Sequence, residues 1–216
     1  MEAKKIRNGI YLVIDPSMSS SLLFNRLERV LKLPISVVQI WDHWNEGVDK
    51  DTTINRILDM CIKYDIPVLM NNDWTLLKRY PFDGVHFDEL PENFDEIKKE
   101  LKKTSNTKEA YLYGMTCGND MDVIDWATKN GMDYISFCSM FPSATSTSCE
   151  LVSLDSVRRA RSKSELPIFL AGGIRPDNMG NFKELDYQGI ALISGIMGSD
   201  KPEEAVSEYL KQLKQN

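Results

Sequence analysis

Eight times along the chain, a short apolar, β-branched or aromatic run gives way to a polar segment with helical spacing. The runs are GIYLVID (9–15), SVVQIW (36–41), PVLMNN (67–72), DGVHF (83–87), AYLYGMT (110–116), DYISF (133–137), PIFLAG (167–172) and GIALISG (189–195). Amphipathic stretches such as SLLFNRLERVLKL, TTINRILDMCIKY, MDVIDWATKNG and LDSVRRARSKS separate them. In the first of these, Phe24, Leu27, Val30 and Leu31 recur at the spacing of one helix face. Gly131 ends the third as a glycine that closes a helix. Strands this apolar belong to a parallel sheet covered by helices on its faces. Eight units in 216 residues come close to the minimum for a (β/α)8 barrel, so the expected fold class is α/β, a single TIM barrel forming one domain over 1–216. A doubly wound open sheet shares the alternation and is the competing architecture. The fourth helical region is thin and is expected to be irregular.

Charge and composition narrow the function classes. The net charge of -6 leaves no basic stripe for a general nucleic-acid binder, although a small anion held by backbone N–H groups and one or two local cations remains compatible. KKELKK at 98–103 has the charge pattern of a solvated helix face. The cysteines at 61, 117, 138 and 149 are scattered without CxxC pairing, as reduced thiols in a cytoplasmic protein would be. No long apolar h-region follows the N-terminus and no apolar run reaches membrane-spanning length, so neither a signal peptide nor a membrane partner is expected.

In a barrel of this kind ligands meet the C-terminal strand ends, and phosphates commonly sit after strands seven and eight. AGGIRPDN (171–178) ends the seventh run in Gly172 and Gly173, with Pro176 placed to open a short helix. Glycines let N–H groups approach an oxyanion with no Cβ in the way, and a helix N-terminus adds a favourable dipole. ISGIMGSDKPEEA (193–205) ends the eighth run with Ile193, Ser194 and Gly195, adding a hydroxyl and further N–H donors. The alternative is a pair of tight turns with no ligand.

The order of the motifs resembles one family across nearly the whole chain. A strand of LYLV type is followed by VVQ, NND, DGVH, GMDYISF with FPSATS, PIFLAGGI and GIALISGIMGSDKP. Together they resemble the thiamine-phosphate synthase superfamily, which includes the related thiazole tautomerases. The resemblance implies that an aminopyrimidine pyrophosphate is joined to a thiazole phosphate, with Mg2+ assistance and release of pyrophosphate. It implies catalytic roles for Gln39, Asn72 and Thr145, and a metal role for Asp73 with Asp88 or Glu89 as the second ligand. Mg2+ that takes one or two carboxylates and borrows phosphate and water suits such a set. Asp73 equally suits a helix N-cap before TLLKRY. Thr116, Ser143 and Ser146 fall on the pyrophosphate side, and Gly172, Gly173, Ile193, Ser194 and Gly195 on the monophosphate side. The implied partners are small phosphorylated thiazole and aminopyrimidine ligands, with a homodimer left open.

Several positions depart from the family. Its Arg and Lys after the strand-two glutamine are Trp41 and His43 here, Trp74 follows the Asn-Asp pair, and the lysine after strand six is Ser146. A charge-assisted hydrogen bond contributes about 1.5–3 kcal/mol, so losing several would cost on the order of 5 kcal/mol without compensation. A tautomerase that needs only the monophosphate half is one alternative. The tautomerases' histidine position after strand five is Gly118, which leaves His43 as the proton carrier. A phosphate-ligand-binding or regulatory barrel without catalysis is the other. His86 is expected to be structural, and Cys117 and Cys149 lack a base placed by the sequence. With strand alternation, Gln39, Trp41 and His43 face one side while Asp42 and Trp44 face the other.

Overall fold

The structure, a computed structural model, describes residues 6–104, 110–143 and 150–214. Eight parallel strands close into a barrel in sequence order: β1 (Gly9–Ile14), β2 (Ile35–Ile40), β3 (Val68–Asn71), β4 (Gly84–Phe87), β5 (Leu112–Cys117), β6 (Tyr134–Phe137), β7 (Ile168–Ala171) and β8 (Gly189–Leu192). Every expected run supplies one strand, and closure of β1 on β8 through Gly9↔Gly189 to Leu12↔Leu192 excludes the open sheet.

The sheet divides the apolar side chains into two cores. Outward-facing residues such as Ile10, Leu12, Ile14, Val38, Ile40, Val85 and Ile135 pack beneath the helices. Inward-facing Tyr11, Val13, Val37, Leu69, Leu112, Tyr134 and Phe169 fill the barrel. Alternate residues of one strand thus serve different cores, which is why the runs read as continuously apolar.

The helices are α1 (Ser20–Val30), α2 (Lys50–Ile62), α3 (Phe94–Thr104), α4 (Met121–Asn130), α5 (Leu154–Lys163), α6 (Ser194–Met197) and α7 (Pro202–Leu213). On α1, Leu23, Phe24, Leu27 and Val30 are buried as their spacing requires, and Leu31 is buried at its C-cap. Asp49 caps α2 by accepting from Thr52 N, and Gly131 ends α4 in the left-handed conformation at φ 74°.

One expectation is corrected. The fourth helical region is a regular α-helix, α3, whose Phe94, Ile97 and Leu101 bury one stripe. Phe94 alone packs against Phe87, Tyr113 and Trp126, so a sparse apolar pattern suffices to dock it. The irregular regions instead follow β3 and β7, as 3₁₀ turns at Trp74–Lys78 and Met179–Phe182. Pro176 lies in the turn before the second of these rather than opening a helix. Among the described residues, no helix is long and apolar enough to cross a membrane.

Candidate functional site

The C-terminal strand ends surround a cavity of about 870 Å³. On one side it is lined by Gly172, Gly173 and Ile174 after β7 and by Ile193, Ser194 and Gly195 after β8. Gly172 and Gly173 have φ of 87° and 64°, in the left-handed region that glycine tolerates best. They also have no room for a side chain. A Cβ on Gly172 would lie 1.9 Å from Ser139 Oγ, and one on Gly173 would lie 2.6 Å from the Pro142 carbonyl oxygen. The loop after β7 therefore packs backbone against the loop after β6, with Phe141 N donating to Gly172 O at 3.1 Å. Ser194 and Gly195 belong to the first turn of α6, where helix N–H groups have no acceptor within the helix. Arg175 joins the lining beside them, its Nε donating to Asp177 Oδ1 at 3.1 Å with the side chain largely exposed.

Strand β2 brings Gln39 and Trp41 to the cavity, but not His43. The strand ends at Ile40, and Trp41 N donates to Ile14 O at 2.9 Å before the chain bends. Alternation therefore holds for Gln39 and Trp41 and lapses beyond. The His43 ring lies tilted at 34° against Trp41, with centroids 4.5 Å apart, and its Nδ1 lies 3.0 Å from Asp15 Oδ1. Trp44 packs against the outer core with Lys50 Nζ over its ring.

Between β3 and β4 the chain builds a small polar clamp. Asn72 sits at φ 56°, a left-handed conformation that asparagine adopts more readily than most residues. Its Oδ1 accepts from Asp88 N at 2.9 Å while its Nδ2 donates to Asp88 Oδ2 at 2.9 Å. Asn71 Nδ2 donates to the same Oδ2 at 3.1 Å. Oδ2 is thus held by two amides, Oδ1 of the half-exposed Asp88 lies 3.9 Å from His86 Nε2, and Asp88 and Glu89 both line the cavity. Asp73 does not line this cavity. Its Oδ1 accepts from Thr75 N at 3.2 Å and from Thr75 Oγ1 at 2.5 Å, so it caps the 3₁₀ turn. Trp74 faces a separate cleft, with Lys78 Nζ over its ring.

Beside apolar Val13, Ala171 and Ala191, the cavity floor carries a connected series of polar side chains. Tyr11 Oη donates to Gln39 Oε1 at 2.5 Å and lies 2.8 Å from Tyr134 Oη. Tyr134 Oη lies 2.8 Å from His86 Nδ1, and His86 Nε2 lies 2.8 Å from Thr116 Oγ1, which lies 3.3 Å from Ser136 Oγ. Burial lowers the His86 pKa to about 4, against an opposing contribution from Asp88, so the ring is neutral near pH 7. Burial likewise holds both phenols in their protonated forms. It pushes the Cys117 thiol up to about 12, which keeps the sulfur protonated near neutral pH.

Of the residues singled out from the sequence, Gln39, Asn72, Thr116, Ser143, Asp88, Glu89, Gly172, Gly173, Ile193, Ser194 and Gly195 line the one cavity. His43 and Asp73 lie outside its lining, and Thr145, Ser146 and Cys149 fall outside the described residues. Arg175, two residues after Gly173, adds a cation to the lining on the strand-seven side. Sequence reasoning missed Tyr11 and Ser136 in the lining and Tyr134 packed behind Tyr11; their inward facing follows from strand alternation but their contacts do not. His86 has the structural role expected of it and also lines the cavity. Among the described residues, no group of three or more His, Cys, Asp or Glu is arranged to hold a metal by itself.

The sequence profile of thiamine monophosphate synthase matches residues 10–196. A thiamine-phosphate synthase of Picrophilus torridus is 26% identical over 207 residues, covering 96% of this chain and 97% of that protein. A thiamine-phosphate synthase of Prochlorococcus marinus is 27% identical over 210 residues, covering 96% of this chain, which spans only 56% of that longer protein. The solved thiamine phosphate pyrophosphorylase of Pyrococcus furiosus superposes with a TM-score of 0.79 over 97% of both chains; at 19% identity it supports the fold.

Proposed function

The chain belongs to the thiamine monophosphate synthase family, and from that premise we propose that it makes thiamine phosphate in thiamine biosynthesis. In this reaction an aminopyrimidine pyrophosphate and a thiazole phosphate are joined. The bond from the pyrimidine methylene carbon to the pyrophosphate oxygen breaks with its electron pair going to the oxygen. The thiazole nitrogen supplies its lone pair to the same carbon, so pyrophosphate is released and no external oxidant or reductant is needed.

One observation carries the proposal: a single cavity has two chemically different ends. Arg175, Gly172, Gly173, Ser194 and Gly195 form an end rich in donors, suited to the monophosphate. Asp88, Glu89 and Asn72 form the other, with Gln39, Thr116 and Ser143 also on the wall. Mg2+ at the second end would be held by the Asp88 and Glu89 carboxylates, adjacent oxygen donors in the cavity lining. Bound there, it would neutralise charge on the leaving pyrophosphate. Asp73, whose Oδ1 caps the 3₁₀ turn through Thr75 and which lies outside the lining, is not assigned a direct ligand role. Asn72 and Asn71 hold Asp88 in place, and Gln39, Thr116 and Ser143 offer polar groups to the pyrimidine and the leaving group; Thr145 and Ser146 complete that side of the proposal.

The test is turnover by the purified protein. With both substrates and Mg2+ it should form thiamine phosphate and pyrophosphate in equal amounts, and Asp88→Asn should lower the rate by about a hundredfold, roughly 2.7 kcal/mol. No product from a folded protein that still binds thiazole phosphate would overturn the proposal.

That outcome would favour a second reading. Arg175 is the one cation among the described residues lining the cavity, and Trp41 stands where the family has Arg. A tautomerase or a non-catalytic binder of a single phosphate would need no more. His43, the proton carrier a tautomerase would require, lies beside Asp15 outside the cavity lining, so the non-catalytic binder is the stronger form of this reading, and thiazole phosphate binding without any turnover would support it.

A further inference from the structure

We infer that His86, Tyr134 and Tyr11 are positioning residues whose hydrogen bonds turn the Gln39 amide so that its NH2 group faces the cavity as a donor to the ligand. What binds there rests on the function proposed above; the relay itself does not.

The four side chains are almost wholly buried, Tyr11 and Tyr134 at 1%, His86 at 4% and Gln39 at 6% exposure. Their separations, 2.5, 2.8 and 2.8 Å, leave no room for water between them. The rings cannot easily turn. Phe169 wedges edge-on against both tyrosines, His86 stacks on Tyr134 at 23°, and Gly114 leaves the space the Tyr134 ring occupies, where a Cβ would lie 2.0 Å from it.

Proton counting then fixes the direction of the chain. Each hydroxyl carries one proton, and a neutral imidazole carries one N–H. The 2.5 Å contact at Gln39 suits O–H···O and is short for N–H···O, so Tyr11 spends its proton on Gln39 Oε1. Tyr11 must then accept from Tyr134, and Tyr134 must accept from His86 Nδ1–H. His86 Nε2 is left as the acceptor for the Thr116 hydroxyl at 2.8 Å, nearer than the Asp88 carboxylate at 3.9 Å, and Thr116 accepts from Ser136. No proton is left over and none is missing. Reversing the Gln39 amide would require every bond in the series to reverse with it.

The chain has only two histidines, so a spectrum of 15N-histidine-labelled protein resolves the tautomer directly, with His43→Gln assigning the signals. His86 is expected as the Nδ1–H tautomer without any ligand. In Tyr11→Phe, Tyr134 loses its acceptor, and the Nε2–H form should gain population as Tyr134 turns its proton to His86. The second readout is calorimetric binding of thiamine phosphate. Tyr11→Phe should weaken it about tenfold, and should change it little in a Gln39→Ala background, because Tyr11 acts through Gln39. An Nε2–H tautomer in the unaltered protein would overturn the relay, as would a Tyr11→Phe penalty of equal size in both backgrounds. If Tyr11→Phe does not fold, Tyr134→Phe completes the same cycle. Absence of thiamine phosphate binding by the unaltered protein would count against the proposed function, while the tautomer would still decide the relay.

Discussion

Gly172 combines a left-handed backbone with a side-chain position already taken by Ser139. Gly172→Ala should therefore destabilise the protein by at least about 2 kcal/mol, combining backbone strain and overpacking. Chemical denaturation of that variant and of Gly172→Ala with Ser139→Gly would separate the contributions: the second change should recover the part due to the Ser139 side chain and leave the strain and the 2.8 Å approach to Ser139 Cα. The end of β2 shows how far single residues were legible. Trp41 follows from Gln39 by alternation, because both still lie on the barrel wall. His43 does not, because Trp41 N is drawn to Ile14 O and the bend after it cancels the period of two. Asp73 and Asp88 show a second limit. Both are carboxylates near strand ends, and only the turn at Asn72 decides which is clamped at the cavity and which caps the next turn.

At the scale of elements, the barrel is fastened where its ends meet. Arg26, on α1 and almost wholly buried, donates through Nη1 to Met197 O at 2.5 Å and through Nη2 to Asp200 Oδ1 at 3.1 Å. It thereby ties the first helix to the end of α6, beside the strand-eight side of the cavity. Arg26→Leu should lower stability by about 1–3 kcal/mol, since it removes a charged donor from a buried carbonyl. Arg29→Ala, which breaks a partly exposed ion pair with Glu203, should cost less than Arg26→Leu, at most about 1 kcal/mol. The sequence spacing predicted α1 and its buried stripe, yet Arg26 reads there as a polar-face residue because its partners lie 171 and 174 residues away. The same distance effect explains α3: its docking depends on aromatic neighbours contributed by β4, β5 and α4.

For the whole molecule, eight alternating runs were enough to specify a closed barrel, because each run had to serve an inner and an outer core at once. The polar floor was not legible: Tyr11 and Tyr134 read as strand aromatics, and their hydroxyls meet across 123 residues. That floor has a consequence for stability. His86 titrates near 4 when folded against an ordinary value of 6.5, so between those values the unfolded chain binds the proton more readily. Its contribution is fully present above about pH 6.5 and is lost as pH falls toward 4, on the order of 3 kcal/mol. Denaturation of the divalent-free protein at pH 7.5 and 4.5 should show a larger acid loss than in His86→Asn, and equal losses would contradict the assignment. The two-ended cavity is the centre of the account, and a crystal structure with thiamine phosphate tests it most directly. The account predicts the phosphate against Gly172, Gly173, Ser194, Gly195 and Arg175, with the pyrimidine toward Gln39 and Asp88. A phosphate seated at Asp88 and Glu89, or a ligand bound outside this cavity, would contradict it.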